Sequence, residues 1–334
     1  AGDDASVLAT QGNLNNDIGL PMTMLNLDKQ HRYAVLEMGM NHTGELSYLT
    51  RLAKPNIALV NNAGTAHIGE LGSVEAIANA KGEIFEGLVD GGTAIINADD
   101  VFASLWKSLA SNHKQVTFGL KAKADVTATY ELHAANSDIE LITPKGTAKF
   151  SLPAPGVHNV SNALAATAAA LALNISLEKI ATGLSNFAGV KGRLQAKQGF
   201  AGAKVIDDTY NANPMSMKAA IDVLKASAGQ RIFVMGDMAE LGAEAPSMHA
   251  EIGTYAKVAG IEKFYALGEL TKNAVTAFGA NAMHFETVEA LDESLKGMMN
   301  AETTVLVKGS RSMRMERVVD AIQLAQTNNN GGNH

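Results

Sequence analysis

Short β-rich runs alternate with helical stretches along this 334-residue chain, and that alternation is what most constrains its fold. Residues 33–37, 56–60 and 93–96 have the apolar composition of buried strands. Helical patterns occupy residues 45–53 and 74–88 between them. Strands that alternate with helices form parallel sheets, so the sequence predicts an α/β fold whose first part is a mostly parallel sheet.

The pattern changes near the middle of the chain. Residues 126–152 alternate apolar and polar positions around a turn at Lys145 and Gly146, which predicts a small antiparallel flap on the parallel sheet. A glycine-flanked basic segment at residues 189–193 then interrupts the pattern, and we expect the domain boundary there. Between the flap and this segment, helices are predicted at residues 159–173 and 177–187.

Beyond that boundary the strands and helices alternate again, in a doubly wound, Rossmann-like pattern. No predicted strand is followed by G-x-G-x-x-G, so this pattern alone does not indicate a nicotinamide cofactor. We expect a first domain at residues 1–192, a second at 193–327 and a disordered tail at 328–334. The elements predicted in the second domain are strands at 204–206, 232–235, 264–267 and 304–307, and helices at 216–225, 249–258, 271–278, near Leu291 and up to about Ala325.

Composition excludes several classes of function. The net charge of -7, without clusters of lysine and arginine, argues against a nucleic-acid surface and favours a small-molecule site. The absence of cysteine excludes disulfides, thiolate zinc sites and cysteine nucleophiles. The longest apolar run, residues 163–173, is shorter than the roughly 20 residues of a membrane helix, and no secretory signal opens the chain. We therefore expect a cytoplasmic protein, and a monomer.

Polar side chains follow the predicted strands of the first domain, where ligands bind in open parallel sheets. Glu37 follows one strand, and Asn61, Asn62 and His67 follow the next. A carboxylate and an imidazole at neighbouring strand ends could hold Mg²⁺ directly or through water. For each of them taken singly, a capped turn or a core histidine is the more common explanation.

Lys81 lies on the apolar face of its predicted helix, four residues after Ile77 and three before Ile84. Burial lowers the pKa of a lysine, and the neutral amine can take up CO₂ to become an anionic carbamate that binds metal. The alternative is an ammonium that reaches solvent past the apolar stripe.

Two further groups of polar residues stand at element boundaries. Asn159 and Asn162 open an alanine-rich helix, where they could either cap the helix or present amides to a purine edge. In the second domain, acids and bases follow three strands at residues 207–214, 236–242 and 308–311. These segments are expected to meet at one edge of the sheet and to form a site.

Taken in order, these segments resemble the Mur ligases of peptidoglycan synthesis. The resemblance runs from about Gly12 to Ala325, and within the family it is to the ligases that add D-Ala-D-Ala to UDP-MurNAc-tripeptide. The matching segments are Gly12 to Gly19 with Pro21, Glu37 to Gly39 with Asn41 and His42, and residues 80–85, 158–162, 192–194, 207–213, 236–242 and 308–312.

The resemblance implies a role for each matching residue. It implies that Glu37, His67 and Lys81, the last as a carbamate, hold Mg²⁺, and that Lys81, His67 and Arg193 are catalytic. The implied ATP contacts are Asn159, Asn162, Arg193, Asp208 and Asn211. The implied contacts of the UDP-linked peptide are Asn13, Asn15 and Asn16, and those of D-Ala-D-Ala are Lys308, Ser310 and Arg311.

The implied reaction is acyl activation by ATP. ATP phosphorylates the terminal carboxylate of the tripeptide, and the amine of D-Ala-D-Ala attacks the acyl phosphate through a tetrahedral intermediate. The products are an amide, ADP and phosphate. Metal and cationic side chains would stabilise the charge on the phosphoryl oxygens and the oxyanion, and closure at residues 189–192 would exclude water.

One family feature does not occur in the sequence. Mur ligases have an N-terminal uridine-binding domain and a phosphate loop, but no G-x-x-x-x-G-K-S/T occurs in these 334 residues. Both features are expected before Gly12, so we expect this chain alone to bind ATP poorly and to be inactive, with the activity belonging to a longer parent enzyme. The alternatives are a non-catalytic binding or scaffold paralogue, a sister Mur ligase, or a folate polyglutamylating enzyme.

Overall fold

The structure is a computed structural model that describes residues 6–64 and 68–324. The chain divides into two compact units, residues 1–188 and residues 189–334, and each is described by itself. The division falls at the start of the glycine-flanked basic segment. Within the described ranges, no helix is long and apolar enough to cross a membrane.

Parallel strand pairs form the framework of the first unit, as the alternation predicts. Strand β1 (Ser6–Ala9) pairs with β2 (His31–Val35), and β4 (Thr93–Asn97) lies between β3 (Ile57–Val60) and β5 (Lys114–Phe118). The helices of this unit are α1 (Gly19–Met24), α2 (Glu45–Ala53), α3 (Ile68–Leu71), α4 (Val74–Gly82), α5 (Ala103–Leu109), α6 (Val157–Ala172) and α7 (Leu177–Ser185), and a 3-10 helix (Glu83–Gly87) continues α4.

The predicted antiparallel flap is also confirmed. Strands β6 (Thr127–Leu132), β7 (Ser137–Thr143) and β8 (Gly146–Leu152) form a meander in chain order. Its inward side chains, among them Leu141, pack with Leu164 of α6 in one apolar cluster. The flap therefore supports the helix that carries the two predicted adenine contacts.

The second unit is a six-stranded sheet with helices, and its spatial strand order is β13-β12-β11-β14-β10-β9. Every pair is parallel except β9 with β10. The carboxyl ends of the parallel strands therefore lie at one edge. The strands are β9 (Gln195–Gln198), β10 (Lys204–Asp208), β11 (Gln230–Gly236), β12 (Lys263–Leu267), β13 (Ala282–Phe285) and β14 (Thr303–Lys308). The helices are α8 (Pro214–Lys225), α9 (Ala245–Val258), α10 (Thr271–Phe278), α11 (Val288–Lys296) and α12 (Glu316–Ile322).

Several predicted helix boundaries are wrong, and two of them concern helices that carry candidate site residues. The helix expected at residues 74–88 ends as an α-helix at Gly82 and continues as a 3-10 helix, a tightening that is common at helix ends. The alanine-rich helix begins at Val157 after Gly156, whose φ of 93° favours glycine, so Asn159 lies inside the helix and does not cap it.

Candidate functional site

A cleft of about 510 Å³ lies in the first unit and includes two of the predicted substrate contacts, Asn15 and Asn16. Asn15 donates from Nδ2 to Glu37 Oε1 at 2.9 Å, and its carbonyl accepts from Gly39 N–H at 2.8 Å. The turn around Asn15 is therefore fixed to the segment that follows β2. The other lining residues are Asp17, Gly39, Met40, Asn41, Thr43, Gly44, Glu45, Tyr48 and Leu49.

The three asparagines of this turn differ in what they can offer a ligand. Asn16 accepts from Gly19 N–H at 2.8 Å, so its side-chain oxygen stabilises the start of α1. Asn13 is exposed, and its carbonyl accepts from Asn15 N–H at 2.8 Å. Asn15 is half-buried and holds Glu37, which makes it the asparagine most directly tied to a candidate metal ligand.

Lys81 is half-buried at the end of α4, as its position on the apolar face predicts. Its Nζ donates to the carbonyl oxygens of Asn62 and Ala63 at 2.9 and 2.7 Å. Burial lowers the pKa of Lys81, while the charge of Asp100 opposes that shift. A lowered pKa favours the neutral amine, which is the form that reacts with CO₂ to give a carbamate.

The three predicted metal ligands are not all in the described part of the chain, because His67 lies outside it. Glu37 is exposed, and one of its oxygens accepts from Asn15, which leaves the carboxylate able to bind a cation through the other. Among the described residues, no group of three histidines or acids is placed to hold a metal ion. Oxygen donors of the kind that Mg²⁺ prefers are nevertheless present.

Glu83 has a role that the sequence did not reveal. Its carboxylate accepts from Gly44 N–H at 2.8 and 3.0 Å and from Ser47 N–H at 3.2 Å, so it caps the N-terminus of α2 from another element. The neighbouring Glu86 accepts from the Ser47 hydroxyl at 2.7 Å. The helix that carries Lys81 is thereby joined to Gly44, which lines the cleft.

The two predicted adenine contacts lie on the first turns of α6. Asn162 accepts from Asn61 Nδ2 at 3.0 Å, and Asn61 accepts through its carbonyl from Asn97 Nδ2 at 2.8 Å. Asn159 donates from Nδ2 to Pro155 O at 2.7 Å. These bonds join the start of α6 to the carboxyl ends of β3 and β4, and they leave the Asn159 oxygen and the Asn162 amino group for a ligand.

In the second unit, Asp208 and Lys308 form a buried ion pair at the ends of adjacent strands. Lys308 Nζ lies 2.7 Å from Asp208 Oδ2 and also donates to Asn211 O at 2.9 Å. Asp208 Oδ1 accepts from Leu194 N–H at 3.1 Å. Both oxygens of Asp208 and the Lys308 ammonium therefore serve contacts within the unit, while the Asn211 side-chain amino group remains exposed.

Ser310 joins the exits of three strands, as the convergence of these polar segments predicts. Its hydroxyl accepts from Ala239 N–H at 2.7 Å and is 3.5 Å from Ala212 O, and its N–H donates to Asp237 O at 2.9 Å. The other predicted dipeptide contact, Arg311, is exposed and lies 3.1 Å from Glu316.

His249 is a buried residue of this region that the sequence analysis missed. Its Nδ1 lies 2.6 Å from Ala245 O, and its Nε2 accepts from Met238 N–H at 2.9 Å, which requires the neutral Nδ1–H tautomer. Burial lowers the pKa of His249, and Asp237, 4.0 Å away, opposes the shift. In the structure His249 lies one turn inside α9, which begins at Ala245. The helix predicted from the sequence began at His249 itself, so the sequence analysis did not place this residue inside a helix.

Arg193 lies in the segment that begins the second unit. Its guanidinium stacks over the Tyr210 ring, 4.4 Å from the ring centroid, and the Tyr210 N–H donates to Gly192 O at 3.0 Å. The arginine is exposed, so it can also meet a phosphate.

Comparison with known protein families gives the same assignment for both units. The model of the Mur ligase middle domain matches residues 2–170, and that of the Mur ligase glutamate ligase domain matches residues 192–311. The chain belongs to the Mur ligase family. Its sequence is 44% identical to the UDP-N-acetylmuramoyl-tripeptide–D-alanyl-D-alanine ligase of Escherichia coli strain K12, over 95% of this chain and 71% of that protein. The ligase of the same name from Bacillus subtilis strain 168 is 36% identical, over 95% of this chain and 70% of that protein.

Solved structures of other Mur ligases have the same fold. A crystal structure of MurF from Acinetobacter baumannii superposes with a TM-score of 0.90 at 39% identity, covering 95% of this chain and 70% of that one. MurF from Thermotoga maritima, solved in complex with ADP, gives a TM-score of 0.84 at 25% identity, covering 96% of this chain and 73% of that one. This Mur ligase chain thus spans about seven-tenths of these relatives.

Proposed function

We propose that this Mur ligase joins D-Ala-D-Ala to UDP-MurNAc-tripeptide, with ATP hydrolysed to ADP and phosphate. The observation that carries the proposal is the 44% identity, over 95% of the chain, to an Escherichia coli enzyme named for that reaction. The bound ADP of the Thermotoga relative supports ATP as the energy source. We assign residues 1–192 to the central domain and residues 193–327 to the C-terminal domain.

Each of the two units contains residues that we propose as ATP contacts. The amides of Asn159 and Asn162 are held by Pro155 and Asn61, so they are preorganised to meet an adenine edge. Arg193, already stacked on Tyr210, would place its guanidinium at the phosphates. Asp208 and Asn211 are proposed as nucleotide contacts, and Asp208 would act chiefly by fixing Asn211 through Lys308.

Glu37, His67 and Lys81 are the proposed Mg²⁺ site, with Lys81 as a carbamate. Glu37 offers a carboxylate oxygen, and the lowered pKa of Lys81 favours the amine that reacts with CO₂. When bound, the metal would offset charge on the phosphoryl oxygens. The protein's own part is to hold Glu37 through Asn15 and to hold the helix of Lys81 against the cleft through Glu83.

The cleft beside Asn15 and Asn16 is the proposed site of the UDP-linked peptide, with Asn13 at its rim. Phosphorylation of the peptide's terminal carboxylate makes the acyl carbon electrophilic, and the phosphate then leaves as the amine adds. Because an acyl phosphate hydrolyses in water, the site must exclude solvent when the substrates are bound. We propose that the protein is cytoplasmic, since the reaction consumes ATP, and that it acts as a monomer.

A panel of acceptor amines tests this proposal. The natural protein that contains this chain is supplied with ATP, Mg²⁺ and UDP-MurNAc-tripeptide, and ADP release is followed with D-Ala-D-Ala, D-glutamate, L-alanine or diaminopimelate. Release is expected only with D-Ala-D-Ala. Release with another amine in place of D-Ala-D-Ala would contradict the proposed acceptor, and binding of the nucleotide-linked peptide without ADP release would identify a scaffold.

A further inference from the structure

A turn at the carboxyl end of β4 holds the chain that leaves the neighbouring strand β3. That chain is residues 61–63, which we call the 61–63 segment. Asn97 Nδ2 donates to the carbonyl oxygen of Asn61 at 2.8 Å, and Asp100 Oδ2 accepts from the N–H of Ala63 at 3.0 Å. The turn therefore fixes the segment at both of its ends.

The side-chain amide of Asn97 has a partner at each of its two polar atoms. Asn97 is the last residue of β4 and is 9% exposed. Its Oδ1 accepts from Asp99 N–H at 2.9 Å, while its Nδ2 donates to the Asn61 carbonyl. Since a backbone N–H only donates and a backbone carbonyl only accepts, these partners define which way the amide faces. Both polar atoms have partners inside the protein, which suits a residue that positions others.

The 61–63 segment in turn contacts two of the proposed site residues. Lys81 Nζ donates to the carbonyl oxygens of the second and third residues of the segment, at 2.9 and 2.7 Å. The side chain of Asn61 donates to Asn162 Oδ1 at 3.0 Å. Lys81 lies on α4 and Asn162 on α6, so the same three residues hold side chains from two different helices. A shift of the segment would move the partners of both side chains.

Burial makes the segment sensitive to the loss of the Asn97 donor. Ala63 is 2% exposed and Asn61 is half-buried, so water can replace a lost bond there only in part. A buried carbonyl that loses its donor is unfavourable, and the segment would shift to find another partner. Within the part of the chain that the structure describes, Asn97 has no hydrogen bond to Lys81 or Asn162. Any effect of Asn97 on them therefore passes through the segment.

We propose that Asn97 is a positioning residue of the ligase, which acts through the 61–63 segment on Asn162 at the adenine and on Lys81 at its carbamate. This inference rests on the proposed function, which assigns those roles to Asn162 and Lys81. The side chain of Asn61 serves the nucleotide branch alone, because it bonds to Asn162 while the backbone carbonyl of the same residue accepts from Asn97. The two branches can therefore be separated by substitution.

The test compares Asn97→Ser, Asn61→Ala and Asp99→Asn in the natural protein that contains this chain. A serine hydroxyl can still accept from the Asp99 N–H, as serine does in turns, but it has no amide to reach the Asn61 carbonyl. Asp99→Asn is the matched control, because the Asp99 carboxylate belongs to the same turn but accepts from three N–H groups of residues 120–122. Fluorescence of the single tryptophan, Trp106, establishes that each variant is folded at the assay temperature.

Two measurements report the two branches without requiring turnover. Isothermal titration calorimetry gives the Kd for ADP, and ¹³C NMR in ¹³C-bicarbonate detects a lysine carbamate, which is assigned by its loss in Lys81→Ala. Asn97→Ser is expected to raise the Kd for ADP about 5- to 20-fold and to weaken the carbamate resonance. Asn97→Asp, which keeps the side-chain volume but sets an oxygen against the Asn61 carbonyl, should change both readings further in the same directions.

The pattern across the variants separates positioning from a general loss of stability. Asn61→Ala should raise the Kd for ADP and leave the carbamate resonance unchanged, while Asp99→Asn should change neither, even where it lowers the melting temperature. The positioning role of Asn97 would be overturned if folded Asn97→Ser and Asn97→Asp kept both readings, or if Asp99→Asn changed them equally. An unsubstituted protein that bound no ADP and gave no carbamate resonance would refute the proposed function instead.

Discussion

Replacing Lys308 with methionine is the sharpest test of how the second unit is held together. Lys308 and Asp208 are buried at opposite register positions of β14 and β10, with Nζ 2.7 Å from Oδ2. Removing one partner of a buried pair leaves an uncompensated charge and costs about 3–5 kcal/mol. Methionine keeps the volume of the side chain, so a cavity adds little to that cost.

The size of the unit converts this cost into a temperature. For a domain of about 150 residues, 1 kcal/mol moves the midpoint by roughly 2–4 °C, so the second unit should melt about 6–20 °C lower in Lys308→Met. The double variant Asp208→Asn, Lys308→Met should recover most of the loss, because no buried charge remains and the asparagine oxygen can still accept from Leu194 N–H. Lys204→Met, at the exposed end of the same strand pair, is the matched control and should change little.

The assay can separate the two units. The single tryptophan, Trp106, is buried in the first unit, so its fluorescence follows that unit alone. Far-ultraviolet circular dichroism and calorimetry report the unfolding of both units. The unfolding transition of the second unit is the one expected to shift to lower temperature. The reasoning would be refuted by a destabilisation below about 1 kcal/mol, the value of an exposed pair. Equal losses in the single and double variants would also refute it.

Three further outcomes are expected. Lys81→Ala should lower the rate of ligation at least about 100-fold without unfolding the first unit. Bicarbonate should alter the activity of the unsubstituted protein but not that of Lys81→Cys. Undiminished turnover in Lys81→Ala would exclude a metal-supporting role for Lys81. Glu83→Ala should lower the free energy of unfolding of the first unit by about 0.5–2 kcal/mol in urea, followed by tryptophan fluorescence, with exposed Glu75→Ala as the control. Burial lowers the pKa of His249 in the folded protein below its unfolded value of about 6.5. The stability of the second unit should therefore fall as the pH drops below about 6.5 toward the folded pKa, by up to about 1.4 kcal/mol per pH unit. In calorimetry His249→Gln should lack this pH dependence, and an unchanged dependence would show that another group titrates.

The sequence predicted the central strands well and the edge strands poorly. Strands β4, β10, β11 and β14 are largely buried, and each contains a predicted apolar run. The strands that the sequence analysis missed are β1, β5, β9 and β13, and all of them lie at sheet edges. An edge strand has a neighbouring strand on one side only, so it needs fewer apolar residues than a central strand. The four residues of β9, Gln-Ala-Lys-Gln, carry no strand signal at all.

The candidate site shows the same division between local pattern and tertiary contact. The burial of Lys81 and the convergence of the second unit's strand exits follow from periodicity and from the rule for parallel sheets. The partner of a polar side chain does not follow from either. Lys308 was predicted as a substrate contact, and that role remains a prediction, but its pairing with Asp208 depends on the register of two strands that are 100 residues apart. The cap that the Glu83 carboxylate provides for the N-terminus of α2 likewise depends on how α2 packs against the segment that contains Glu83.

The central claim is that ATP activates the peptide carboxylate for attack by D-Ala-D-Ala, and oxygen labelling tests it most directly. UDP-MurNAc-tripeptide carrying ¹⁸O in its terminal carboxylate is incubated with ATP, Mg²⁺, D-Ala-D-Ala and the natural protein that contains this chain. Mass spectrometry should find the tripeptide extended by the dipeptide with loss of one labelled oxygen, and that oxygen should appear in the released phosphate. Absence of the extended peptide, or its formation with unlabelled phosphate, would contradict the account.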